Sequence, residues 1–299
     1  AKYLNGRKIV FGAEAIELRT SLEFYQPLAR GVIKKEGLGD KDAERQFQAA
    51  RDIVRHAIGL VRDGQAAPQT FCVIGAPARA SDTNKRLLVD AVKDLVDSVL
   101  ICSEPFAVAY GMDRLDEALV IDIGAGTVDL CRMHGTLPDP EDQITLETAG
   151  DYVDQQLLER MQQSCKGAQF NIHMVKRIKE QHATVEDVTY PIEVSLPVDG
   201  RPTTFDISAD VRAACMSIVQ PMAAALQKLI ATFEPDLQHR MRNNVLLGGG
   251  GSQIRGLDRA LEKAMEELGG GKVSKVEEPL FAGGNGALKI AQDMPDEHW

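Results

Sequence analysis

Short apolar runs and helical periodicities alternate along the chain. Phe71-Cys-Val-Ile-Gly75 reads as a buried strand closed by Pro77; Ser81 and Asp82 then offer a helix cap, and Leu87, Leu88, Ala91, Val92 and Leu95 recur at helical spacing. Val99 to Cys102 predicts another strand, Pro105 to Met112 a helix, and Ala118 to Asp122 a third strand entering a glycine turn. Because Val128 to Met133 keeps strand character beyond that turn, its glycines are expected in a hairpin. Gly135 to Asp142, with Pro138 and Pro140, is expected as a loop. Val153, Leu157, Leu158 and Met161 then share one helix face, and Lys176 to His182 forms a second, charged helical stretch. Val185 to Ile207 predicts a small strand-rich excursion and Ala209 to Phe233 a long Ala-rich helix. A strand at Val245 to Leu247, a turn at Gly248 to Gly251 and an amphipathic helix at Leu257 to Leu268 follow. Such alternation predicts a layered α/β domain, and the excursion a two-lobed architecture.

Composition narrows the class. The chain's 299 residues allow one large domain or two modest ones, and 44% apolar with 26% charged residues is the balance of a folded globular protein. A net charge of −10 disfavours direct binding to nucleic acid or to anionic membrane surfaces. The 5 cysteines show no C-x-x-C spacing and read as buried thiols of a reducing, cytoplasmic compartment. The longest charge-free runs, Gly64 to Ala78 and Ala213 to Gln227, have 15 residues each. They fall short of the ~20 needed to span a bilayer, so no transmembrane helix is expected. The sequence opens at Ala1 without Met or a signal segment, from which the natural start is expected upstream.

Three segments carry candidate chemistry. Asp122-Ile-Gly124-Ala125-Gly126-Thr127 joins two strands; its glycines let backbone N–H groups approach phosphate oxygens, and its Asp is placed to hold a hydrated cation. A tight hairpin that needs Gly for its dihedrals explains this motif alone equally well. It is not a dinucleotide fingerprint, since Asp129 stands where the third glycine belongs and no helix follows, and the chain lacks a P-loop. Gly248 to Gly251 is bracketed by apolar residues, unlike a linker, and four successive glycines fit a ligand contact better than a structural turn. Glu104 follows the strand Val99 to Cys102 directly, where open α/β sheets bind ligands; it could orient an attacking water or, taken alone, cap the helix opening at Pro105. Lys176, Lys179 and Glu180 would by default be a solvated helix face.

Taken in order, the strand followed by Glu104-Pro105, the D-x-G-x-G-T hairpin, Ala149-Gly150-Asp151, Lys179-Glu180, the glycine turn and Phe281-Ala-Gly-Gly-Asn-Gly286-Ala resemble the actin-like ATPases over nearly the whole chain. Within them the bacterial actins of the magnetosome-associated filament type are most similar, through Val73 to Ser81, Ser103 to Gly111, Asp122 to Asp129 and the loop Gly135 to Gln143. The resemblance implies an actin-like (ribonuclease H-like) ATPase fold, an α/β architecture with two lobes around a nucleotide cleft. Its expected parts are residues 1–65 as a first-lobe remnant with a small subdomain, 66–132 as first-lobe core with 283–299 returning to it, and 133–282 as second lobe with an insertion at about 168–208.

The implied ligands are ATP or ADP and Mg²⁺. Gly124, Ala125, Gly126 and Thr127 would bind phosphate, Asp122 would hold Mg²⁺ through water, and Glu104 would position the hydrolytic water. Gly150 and Asp151 would lie near ribose or phosphates, Lys176, Lys179 and Glu180 near ribose and adenine, and Gly249, Gly250, Gly251 and Gln253 under the adenosine. The implied function is a slow ATPase coupled to head-to-tail polymerisation into paired protofilaments that position magnetosomes or similar cargo, with adaptor proteins as the bridge to cargo or membrane. The alternatives are a hydrolysis-impaired scaffold assembling with a complete paralogue, or a monomeric kinase of the same superfold. Two departures from the family pattern stand out: no phosphate hairpin precedes Gly75, and Val128 replaces a second Thr.

Overall fold

A computed structural model describes residues 1–3, 9–34, 37–62, 69–135 and 137–299. Parts of the Lys2 to Gly12 segment and of the run beginning at Gly64, the expected boundary at 65/66, and Thr136 of the 135–143 loop lie outside the described residues. Contacts group the chain into two units, one of residues 1–76, 80–101 and 293–299, the other of 77–79 and 102–292.

The first unit contains β1 (Lys2–Tyr3), α1 (Gly12–Glu17), β2 (Leu22–Glu23), β3 (Leu28–Ala29), β4 (Val32–Ile33), α2 (Asp40–Arg62), β5 (Phe71–Ala76), α3 (Asp82–Val92) and most of β6 (Ser98–Ser103). The strands pair two by two: β1 with β2, β3 with β4, β5 with β6. As the spacing predicts, Ser81 caps α3, its side chain accepting from the Asn84 amide at 3.2 Å. Helix α2, which the apolar periodicity had not singled out, packs Phe47, Ala50 and Val54 against Ile33, Ala91 and Val92.

The second unit holds α4 (Glu104–Gly111), β7 (Ala118–Ile123), β8 (Val128–Met133), β9 (Gln143–Leu146), α5 (Gly150–Ser164), α6 (Ile172–His182), β10 (Glu193–Val198), β11 (Arg201–Asp206), α7 (Ser208–Met216), α8 (Val219–Ile230), α9 (Pro235–Arg242), β12 (Val245–Gly248), α10 (Leu257–Ala264), β13 (Val273–Lys275) and α11 (Ala282–Asp293). Its sheet runs β13-β12-β7-β8-β9, parallel across β13, β12 and β7 and antiparallel from β7 to β9. Leu119, Ile121, Ile123, Val128 and Leu130 have no solvent exposure and meet Val153, Leu157 and Met161 of α5 and Met222 and Leu226 of α8 in one core. β7 pairs with β12 and β8 with β9, so these strands form one sheet with those of the later segment.

Two helices differ from the periodicity reading. The expected helix from Ala209 to Phe233 is two helices, α7 and α8, parted at Ser217 and Ile218. Pro221 has no N–H to give the Ser217 carbonyl, and its ring crowds that group, so the turn tightens there. The Ser217 amide accordingly reaches Ala214 at 3.3 Å. By length and composition Ser208–Ile230 could cross a membrane, but Val211, Ala214, Cys215, Ile218, Met222 and Leu226 lie in the unit's core. Similarly, α10 ends at Ala264 and continues as a separate 3₁₀ turn, Glu266–Leu268, closed by Gly269 at φ 92°. β9 and β13 were not foreseen; both are short strands at the sheet's edges.

Helices α4 and α11 approach through glycine. A Cβ on Gly286 would run into the Ala107 carbonyl oxygen, and one on Gly111 would sit 3.0 Å from the Gly286 Cα. By contrast, Gly284, on the exposed side of the same helix, faces open space. Gly286→Ala should therefore cost ~1–3 kcal/mol or more through overpacking. Gly284→Ala should gain ~0.5–1 kcal/mol by restricting the unfolded chain. Chemical denaturation of the two variants checks this; a neutral or stabilising Gly286→Ala would contradict the close packing.

Candidate functional site

The β7–β8 hairpin sets two carboxylates face to face. Its register pairs Asp122 with Asp129 and Ile123 with Val128, leaving residues 124–127 as the turn. Gly248 of β12 stands beside Asp122 and Thr145 of β9 beside Asp129, so the two acids lie in one row across the sheet. Like charges directly opposite on neighbouring strands repel, and burial amplifies the cost. Asp129 is compensated: its Oδ1 accepts from the Ala78 amide at 2.8 Å and the Thr145 hydroxyl at 2.6 Å, with Thr127 a further partner. Burial nonetheless holds its carboxyl above the usual range. Asp122, half-buried opposite Asp129, is pushed up to about 6 by desolvation and then by the Asp129 charge.

Glu104 is the first residue of α4, and the cap position belongs to Ser103, which removes the reading of Glu104 as a helix cap. Burial, then the charges of Asp122 and Asp129, push its carboxyl up to about 8. None of the groups acting on Glu104 or Asp122 is cationic. Asp129 was missed as a site residue. Once the four-residue turn is assigned, hairpin register alone places it opposite Asp122.

The turn is held from two sides. The Gly124 amide donates to the Thr127 carbonyl at 2.9 Å, while the amides of Gly150 and Asp151 at the start of α5 donate to the carbonyls of Gly124 and Ala125 at 3.1 and 2.7 Å. A Cβ on Gly150 would press the Ala125 Cα at 3.2 Å, a tight contact that favours glycine here. Among the described residues, neither Gly124 nor Gly126 has a positive φ. The dihedral explanation of those two glycines therefore fails. Val128 is wholly buried in the core, which is the physical setting of its departure from a hydroxyl residue.

The glycine tract bears on the same point from β12. Gly249, at φ 76°, could not carry a Cβ without meeting Asp122 and the Ile123 backbone, and a Cβ on Gly251 would collide with the Ile123 side chain. Internal packing is thus a sufficient reason for these two, whereas Gly250 meets only the Leu280 side chain at 3.3 Å. Gln253 is exposed at the end of this turn. On α6, Glu180 is exposed and Lys176 half-buried, but the Lys179 ammonium lies 2.7 Å from Asp154 Oδ1 and donates to the Gly150 carbonyl at 2.9 Å. Asp151 is exposed at the start of α5. Among the described residues no group of three His, Cys, Asp or Glu side chains converges as direct metal ligands. The donor chemistry fits a hydrated hard cation, since uncompensated carboxylates gain most from one nearby.

A sheet of this topology with acidic strand ends, a hairpin turn and a helix start beside it defines an actin-like protein, and residues 8–298 match the family model of the MreB/Mbl protein. The chain belongs to the MreB/Mbl family and has the actin-like fold. It is 36% identical over 298 residues to the actin-like protein MamK of Paramagnetospirillum magneticum, covering 99% of this chain and 83% of that protein. Identity to MamK of Magnetospirillum gryphiswaldense is 35% over 300 residues, with 99% and 80% covered. Among solved structures, a MamK double helical filament matches with TM-score 0.89 at 35% identity, covering 96% of this chain and 86% of that one. A non-polymerising MamK mutant bound to AMPPNP matches with TM-score 0.72 at 35% identity, with 97% and 87% covered.

The raised Glu104 pKa has a sign that can be tested. An ordinary Glu at 4.5 that rises to about 8 on folding keeps its proton in the native state between those values. Stability from this group is therefore intact below about pH 4.5 and falls as pH rises toward 8. Glu104→Gln should leave the melting temperature unchanged near pH 4.5 and raise it progressively up to pH 8, by the equivalent of about 1–4 kcal/mol. Nucleotide-free thermal melts across that range check it; a gain independent of pH would show that charge is not the cause.

Proposed function

We propose that this chain is the subunit of a nucleotide-dependent bacterial filament that binds and slowly hydrolyses ATP. The observation that carries this reading is the uncompensated Glu104 and Asp122 pair beside the β7–β8 turn, in a chain whose relatives include a MamK bound to AMPPNP. In this reading the backbone of Ala125, Gly126 and Thr127 cradles phosphate, because the Gly124 amide already closes the turn. Asp122 holds Mg²⁺ through water, and Glu104 orients the attacking water as its base. Gly150 and Asp151 lie near ribose or phosphate, Lys176, Lys179 and Glu180 near ribose and adenine, and Gly249, Gly250, Gly251 and Gln253 under the adenosine. Mg²⁺, when bound with ATP, supplies the positive charge that the protein's own carboxylates lack.

Similarity to a MamK double helical filament supports self-assembly as paired protofilaments. Head-to-tail contacts are heterologous and need not close, which is how a single subunit builds an open fibre. The proposed setting is the cytoplasm and the proposed cargo magnetosomes or a similar body, reached through adaptor proteins. The net charge of −10 gives no general support to direct contact with nucleic acid or anionic lipid.

High-speed pelleting with Mg·ATP, Mg·ADP or no nucleotide, with phosphate release followed in the same samples, tests the reading. The parent should pellet with ATP and release phosphate. Glu104→Ala should still pellet, with release lower by ~100-fold or more. A parent that stays soluble and silent in every condition would sink the proposal.

A further inference from the structure

The buried ion pair between α5 and α6 touches the helix start that holds the 124–127 turn. Asp154 and Lys179 are almost entirely shielded, with side chains 4% and 14% exposed, and approach to 2.7 Å. The same ammonium donates to the Gly150 carbonyl at 2.9 Å. Gly150 and Asp151 in turn give their amides to the carbonyls of Gly124 and Ala125, and a Cβ on Gly150 would lie a tight 3.2 Å from the Ala125 Cα. A continuous path of direct contacts therefore runs from Asp154 through Lys179 and the first turn of α5 to residues 124 and 125.

We propose that Asp154 and Lys179 form a latch that fixes the 124–127 turn, so that Asp154 is a positioning residue for the bound nucleotide and Lys179 acts through Gly150 rather than as a direct ligand. This rests on the nucleotide reading of the turn. The physical reason is the cost of separating the pair. If Lys179 swung toward a ligand, Asp154 would remain as an uncompensated charge in the interior, a penalty far larger than one new exposed hydrogen bond returns. Lys176 also acts favourably on Asp154, Asp151 unfavourably, and Cys215 of α7 feels both members of the pair; each is secondary to the direct contact with Lys179. Both members sit on helices whose apolar residues, Val153 and Leu157 on α5 and Val175 and Ile178 on α6, belong to the common core. A shift at the latch is therefore taken up at the helix start and passed to the turn.

Amide hydrogen exchange on nucleotide-free protein, together with titration of a fluorescent ATP analogue, tests the latch in Asp154→Asn, Lys179→Met, Lys179→Arg and the double variant Asp154→Asn/Lys179→Met. Expected are about tenfold faster exchange in peptides covering 120–130 and 148–155 for the first two variants, an unchanged α10, and about tenfold weaker analogue binding. Lys179→Arg, which keeps the charge, should restore most of the protection. The double variant, which leaves no lone charge, keeps the test readable if a single variant folds poorly: it too should exchange faster at 120–130. Parent-like exchange at 120–130 in folded single and double variants would overturn the latch. Failure of the parent to bind the analogue would instead remove the nucleotide reading, while the exchange data would still decide whether Asp154 and Lys179 hold the turn.

Discussion

Asp122 and Asp129 oppose each other across two central strands of a sheet whose core excludes water, and the local structure is arranged around that repulsion. Asp129 is satisfied by drafting in remote chain: the Ala78 amide from the 77–79 segment and the hydroxyl of Thr145 on β9. That is why residues 77–79 group with the unit built on the sheet, although the chain on either side of them belongs to the other. Asp122 receives no such relief, and Glu104 adds a third carboxyl to the same region. A core that needed only stability would place Asn or Thr at one of these positions. Three carboxyls gathered where burial holds their pKa values up form a pattern that favours a functional site over core packing.

Glycine has two separate jobs around this row, and they were easy to confuse. Backbone freedom is needed at Gly249, whose φ of 76° no β-substituted residue adopts comfortably. Close approach is needed at Gly251, Gly150 and Gly286, where a Cβ would strike Ile123, Ala125 or Ala107. A run of four glycines looks like a ligand cradle because sequence does not reveal that β7 presses against it from below. Gly248 and Gly250 are left without a constraint of this kind; Gly248 is buried in β12 between the Val108 and Val276 side chains, so any case for direct ligand contact within the tract rests most firmly on Gly250.

Local rules made much of this legible. The hairpin, the Ser81 cap, the strand that delivers Glu104 and the helix face of Val153, Leu157 and Met161 all follow from periodicity and turn chemistry, because each depends on neighbours in sequence. The break between α7 and α8 was readable in principle from Pro221, but continuous apolar character masked it. β13 and β9 escaped because strands of three and four residues leave too short a pattern to register. The pairing of Lys179 with Asp154 escaped for a different reason. The partner Asp154 lies a helix and a loop away, among the apolar residues of α5, and a lysine on a charged helix gives no sign of whether its ammonium meets solvent, ligand or a buried acid. The order of motifs along the chain, rather than any single residue, is what led to the actin-like reading.

The two arrangements complement each other electrostatically. Lys179 could have neutralised the acidic row had it reached there, but its charge is committed to Asp154, so that the helix start stays fixed while the strand ends stay anionic. On the proposed reading this makes occupancy conditional. ATP alone brings phosphate charge of the same sign as Asp122 and Asp129 and is repelled; ATP carrying its cation brings what the row lacks and draws Glu104 and Asp122 back toward their ionised forms. Glu104 would then become a competent base only in the loaded site, since at neutral pH its raised pKa keeps most of it protonated beforehand. Rigidity of the turn and titration of the base would thus be set by separate groups, one acting through helix packing and the other through charge.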